Sequence, residues 1–137
     1  CHINIINTVF MNYQDVTLED VCLLQATAIR YAGYCQSVVG PVENNAGTPS
    51  YYKNGVLITS PTRFKMYDEI VSTGDNLLVS VDNIDMTAWQ NKLNFGGYTN
   101  AAGVGNYRAR FMMHFDSDQS ANRTAIEDIL NEYYNIF

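Results

Sequence analysis

A chain of 137 residues has room for one hydrophobic core of ordinary size, and 47% apolar with 12% aromatic residues exclude a disordered chain. Only 16% of the residues are charged; ten tyrosines and fifteen asparagines stand where an average soluble domain carries ions, so the surface is polar but weakly ionised. Eight Lys plus Arg against fourteen Asp plus Glu give a formal charge of −6, which argues against nucleic acid as a partner bound through net charge.

Nor does any run of about 18 apolar residues occur, so no transmembrane segment is expected. Cys1, Cys22 and Cys35 form no C-x-x-C pair and only two histidines accompany them, so no zinc ligand set can be read from the spacing. A first residue of Cys rather than Met admits three readings: a removed or trimmed start, a lipoprotein cleaved before its lipidated cysteine, or an N-terminal nucleophile.

Ile3 to Met11 is rich in β-branched and aromatic residues and closes at Asn12-Tyr13-Gln14-Asp15, which predicts a strand. Thr17 and Asp20 then resemble a capping box, and Leu18, Val21, Leu24, Ala28, Tyr31, Cys35 and Val38 recur at helical spacing, which predicts a helix to about Val39 with Gly33 as its weak point. If Cys22 and Cys35 share that helix, they lie roughly 20 Å apart and cannot form a disulfide. Residues 40 to 54 read as a long loop, Val56 to Thr59 as a short strand, and Pro61 as the first turn of a helix carrying Phe64, Tyr67, Ile70 and Val71. Leu77 to Val81 is the next strand, followed by a short capped helix with Trp89 and Leu93 and a second long loop to Asn106.

From Tyr107 to Asp116 side chains alternate. Tyr107, Ala109, Phe111, Met113 and Phe115 take one face, and Arg108, Arg110, Met112, His114 and Asp116 the other. Ile126, Ile129, Leu130, Tyr133 and Phe137 then mark the core face of an amphipathic helix whose outer face is Glu127, Asp128, Asn131, Glu132 and Asn135. Strands alternating with helices suggest a parallel sheet, but the alternating last strand belongs to a sheet with one wetter face. The expected fold is therefore α+β: a single two-layer domain over residues 1–137, with a small mixed or antiparallel sheet of about four strands, helices packed on one face and an amphipathic C-terminal helix.

The turn Asp116-Ser117-Asp118-Gln119-Ser120 carries the most chemistry. It resembles the D-x-D of metal-dependent sugar transferases, the D-x-D-x-T of haloacid-dehalogenase-type phosphatases and the D-x-S-x-S of integrin-type metal sites. Those resemblances imply Asp116, Asp118 and Ser120 as oxygen ligands of a divalent cation, Mg or Ca. Counted as a calcium loop, Asp116, Asp118, Ser120, Asn122, Thr124 and Glu127 take positions 1, 3, 5, 7, 9 and 12 of the EF-hand pattern, with Ala121 in place of the turn glycine. Helix capping accounts for the same Asp and Ser residues without a metal, and no cofactor is otherwise expected. Asp15, Asp82 and Asp116 would share one sheet edge if their strands ran parallel.

Two Asn-, Gly- and Tyr-rich loops, few lysines and no coherent catalytic set favour a non-enzymatic, self-associating structural or interaction protein of the kind found in virions, appendages or surface assemblies. Its expected interface is Tyr51, Tyr52, Tyr98, Arg108, Arg110, Met112 and His114, its expected partner a second copy of itself, and its expected setting soluble, extracellular or virion-associated rather than cytoplasmic. In size and final strand-then-helix order it resembles small viral coat proteins in layout. The alternative is a metal-dependent ligand-binding or hydrolytic domain, with Asp116 and Asp118 on the metal, Asp82 or Asp85 as further carboxylates, and Arg108 or Arg110 balancing substrate charge.

Overall fold

In a computed structural model, residues 6–13, 20–27, 30–72, 76–89, 93–95 and 108–137 are described. The strand Ile6–Tyr13 (β1) shows why the molecule is layered. Its Val9, Met11 and Tyr13 enter the main core while Phe10 enters a second, smaller core, so both faces of the strand are buried. The strand Leu77–Asp85 pairs antiparallel with β1 and repeats the pattern: Leu77, Val79 and Val81 join the main core and Leu78 the smaller one.

In chain order the other strands are Asp20–Thr27 (β2), Arg30–Gln36 (β3), Gly47–Lys53 (β4), Val56–Leu57 (β5), Leu77–Asp85 itself (β6), Asn94–Phe95 (β7) and Met112–Phe115 (β8). They form an antiparallel five-stranded sheet in the order β5-β4-β6-β1-β8 and an antiparallel three-stranded sheet in the order β3-β2-β7. A short helix Arg63–Met66 (α1) continues into a π-helical turn Tyr67–Val71 that drops Met66, Ile70 and Val71 into the main core beside Leu23, Leu24, Ala32 and Cys35. A single 3-10 turn, Thr87–Trp89, buries Trp89, whose indole Nε1 donates to Asn45 O at 2.7 Å. The helix Arg123–Tyr134 (α2) lies on the other face of the large sheet, where Leu130 and the following Ile136 meet Phe10 and Leu78. Burying each of these large apolar side chains is worth about 1.5–3 kcal/mol.

The fold is thus α+β with antiparallel sheets and a C-terminal amphipathic helix; among the described residues the sheets hold five and three strands, where the sequence suggests about four in one. The predicted helix from Thr17 to Val39 is corrected: its described residues form the hairpin of β2 and β3, in register from Asp20↔Gln36 to Thr27↔Arg30. Cys22, Leu23 and Leu24 are all fully buried. A strand covered on both faces loses the period of two, and its apolar run then satisfies helical spacing equally well. Gly33 sits in β3 with φ +73, where a Cβ would lie 2.6 Å from Leu23 Cδ1, so the glycine allows close approach rather than weakening a helix.

The loop predicted for residues 40 to 54 ends in β4, which joins β5 through Asn54-Gly55 at φ 50 and 79, the left-handed pair of a tight hairpin. Arg63 ties α1 to the preceding chain: Nε donates to Pro41 O at 2.6 Å, Nη1 to Gln36 Oε1 at 2.8 Å and Nη2 to the Tyr31 hydroxyl at 3.0 Å, with the guanidinium 4.2 Å from the Tyr34 ring centroid. No described helix is long and apolar enough to cross a membrane.

Candidate functional site

Of the residues that sequence singled out in the last third of the chain, Arg110 bonds the end of α2 and Glu127 lies within it. This helix is held on the sheet by a buried polar cluster as well as by apolar contact. Glu127, expected on the solvent face, is 2% exposed. Its Oε1 accepts from Ser80 Oγ at 2.6 Å, and its Oε2 accepts from Arg123 Nη1 at 2.6 Å, one helical turn away. Arg123 Nε lies 3.8 Å from Asp82 Oδ2, and its guanidinium stacks 3.6 Å from the centroid of the Tyr52 ring. Burial pushes the Asp82 carboxyl above its ordinary value; Arg123 pulls it back, and the charges of Asp118 and Glu127 raise it further. Two acids and one arginine in a largely buried interface fix the rotation of α2, because any other rotation would strip these groups of partners.

The helix end is fixed too. Asn135 takes the left-handed conformation at φ 50, its N–H donates to Asn131 O, and Asn131 Oδ1 accepts from the N–H groups of Ile136 and Phe137 at 2.9 and 2.8 Å. Arg110 Nη1 donates to Tyr134 O, and the Phe111 and Tyr134 rings pack 4.7 Å apart.

With Arg123, Glu127, Leu130 and Tyr134 turned inward, the predicted core face is corrected by a rotation. Leu130 is buried and Ile126 half-buried, but Ile129 is 65% exposed, Tyr133 80% and Phe137 50%. These apolar side chains face solvent with Ala125 and the acids Asp128 and Glu132, which are also exposed. At 100° per residue, Ala125, Ile129 and Tyr133 lie on one stripe.

The expected interface residues separate. Tyr51 is fully buried, its hydroxyl donating to Glu43 Oε2 at 2.9 Å and accepting from Gly33 N at 3.0 Å, so it offers no surface to a partner. Tyr52 is half-buried under Arg123. Met112 packs on the main core, while Arg108, Arg110 and His114 are exposed, His114 Nε2 lying 2.9 Å from Asn7 Oδ1. Tyr98 lies outside the described residues.

Asp116, Asp118 and Ser120 are all exposed, and the expected capping role is corrected: the N-cap of α2 is Asn122, which makes no side-chain cap hydrogen bond, and Asp118 holds its own turn instead. Asp118 Oδ1 accepts from Ser120 N at 2.9 Å, which holds its carboxyl below the ordinary value, and Gln119 N donates to the buried Thr8 hydroxyl at 2.9 Å. Glu127, twelfth in the calcium-loop count, points into the sheet instead. Because β6 and β8 both run antiparallel to β1, Asp82 and Asp116 do lie at one end of the sheet, and Asp82 senses Asp118; Asp15 lies outside the described residues. Among the described residues no group of three His, Cys, Asp or Glu side chains is placed to hold a metal ion.

No protein-family model matches the chain, and no curated protein or solved structure matches it.

Proposed function

We propose that this chain is a non-enzymatic, self-associating structural or interaction protein, of the kind that builds virions, appendages or surface assemblies. One observation carries the reading: the outward face of α2 presents Ile129 and Tyr133, with Phe137 beyond the helix end, on a helix whose rotation is locked by the Asp82–Arg123–Glu127 cluster. Exposed single hydrophobic residues are ordinary, but a stripe of them held rigid on one helix is a contact surface already ordered before a partner arrives. Arg110, one of the residues expected at the interface, borders it through Tyr134. The partner is a second copy of the chain.

Sedimentation velocity of the purified chain from low to high micromolar concentration tests this. The expected result is a concentration-dependent oligomer that Ile129→Asp/Tyr133→Asp reduces to monomer with an unchanged melting temperature. A wild-type chain that stays monomeric at high micromolar concentration overturns the reading.

A further inference from the structure

The surface opposite in character to the α2 stripe is a groove of about 390 Å³ between the β4–β5 hairpin and the α1 segment. Its apolar wall is Val56, Leu57 and Ile58, of which Val56 is 69% and Leu57 47% exposed; its polar wall is Lys53, Lys65 and Glu69. The chain has three lysines in all, and two of them line this groove. Lys53 Nζ is 3.4 Å from Glu69 Oε2, whereas Lys65 Nζ bonds the carbonyl and hydroxyl oxygens of Thr59, both neutral. The groove therefore carries two cations against one carboxylate on a molecule whose formal charge is −6.

The outward face of α2 is its complement: Ile129 and Tyr133 flanked on one side by the exposed acids Asp128 and Glu132. An apolar wall beside surplus positive charge fits an apolar stripe beside surplus negative charge. A volume near 390 Å³ accommodates one large aromatic side chain and its neighbour, within the size range of pockets that take small ligands. Two α2 stripes facing each other would instead bring four like charges together.

The geometry points to a head-to-tail contact in which the Ile129–Tyr133 stripe of one copy seats in the Val56–Leu57–Lys65 groove of the next. This deepens the self-association reading and rests on it. Because donor and acceptor are different surfaces of one chain, each copy keeps one of its two surfaces free after the first contact, and the pair still offers one donor and one acceptor. Such an interface closes into a ring or continues as a filament.

A mixing experiment decides it. The donor-blocked variant Ile129→Asp/Tyr133→Asp and the acceptor-blocked variant Leu57→Asp/Lys65→Glu change exposed or half-buried positions, and circular dichroism melts check that both stay folded. Each variant alone is expected to be monomeric by native mass spectrometry. Their equimolar mixture is expected to stop at a one-to-one dimer, since the acceptor-blocked copy supplies the helix and the donor-blocked copy the groove. An acceptor-blocked variant that assembles like the wild type overturns the head-to-tail contact and leaves self-association through another face. Two monomeric variants whose mixture forms no dimer overturn it as well. A monomeric wild type refutes both readings at once.

Discussion

Replacing Glu127 with Leu tests whether the cluster beneath α2 holds the helix. In the native chain the carboxylate satisfies the Ser80 hydroxyl and the Arg123 guanidinium, each at 2.6 Å, and neither acceptor site opens to water because Ser80 and Glu127 are both buried. Glu127→Leu leaves a buried hydroxyl without its acceptor and an arginine with its more distant acid, Asp82 at 3.8 Å, and the Tyr52 ring. An unsatisfied buried group costs about 1–3 kcal/mol, and breaking a fully buried ion pair about 3–5 kcal/mol. Arg123 keeps partial access to solvent and two other partners, which brings the expected loss to about 3 kcal/mol. Glu127→Gln retains an acceptor for Ser80 and should lose about 1.5 kcal/mol. Urea unfolding followed by far-ultraviolet circular dichroism reads both, with exposed Glu132→Leu as a control expected within about 0.5 kcal/mol of wild type. Equal midpoints for Glu127→Leu and Glu132→Leu would refute the assigned role of the cluster.

Other consequences follow from the same contacts. Asp82 has a raised carboxyl pKa in the fold, so its stabilising contribution is complete below the ordinary value of 3.8 and is lost as pH rises through the folded value. Asp82→Asn should therefore gain relative to wild type as pH increases over that window, as measured by melting at matched ionic strength; a difference constant with pH would contradict it. Gly33→Ala forces a Cβ against Leu23 at φ +73 and should cost about 2–4 kcal/mol by the same urea assay, whereas Gly55→Ala at the exposed turn should cost less. Burial pushes the Cys22 thiol up to about 12 and raises that of Cys35, so alkylation of native protein at pH 8 should leave both unmodified by peptide mass spectrometry until denaturant is added. Asp118→Ala removes a turn hydrogen bond at an exposed site and should cost no more than about 1 kcal/mol in that urea assay.

What the sequence made legible, and what it hid, follows from burial. The strand at Leu77 and the C-terminal helix carry clear apolar periods and form over the expected stretches, whereas the last strand, expected from Tyr107 to Asp116, is confined among the described residues to Met112–Phe115. The hairpin of β2 and β3 shows no strand period in its sequence because Leu23 and Leu24, on opposite faces, both lie in the core. The β4–β5 hairpin carries a signal in the Asn54-Gly55 pair, which is among the strongest short-range hairpin marks. The rotation of α2 is the least legible feature. Hydrophobicity alone turns Ile129 and Tyr133 inward, but Glu127 and Arg123 are charged residues buried through mutual pairing and through Ser80 and Asp82, forty and more residues away in sequence. No local pattern records such partners, and the outward stripe that supports the proposed function exists because of them.

Hydroxyl-radical footprinting of the wild-type chain across a dilution series tests the central claim most directly, because Tyr133 is 80% exposed in a single copy and reacts readily when free. The account predicts that Tyr133 and Phe137 are protected at high concentration and become labelled on dilution, while half-buried Tyr134 changes little. Labelling of Tyr133 that stays the same at every concentration would contradict the account.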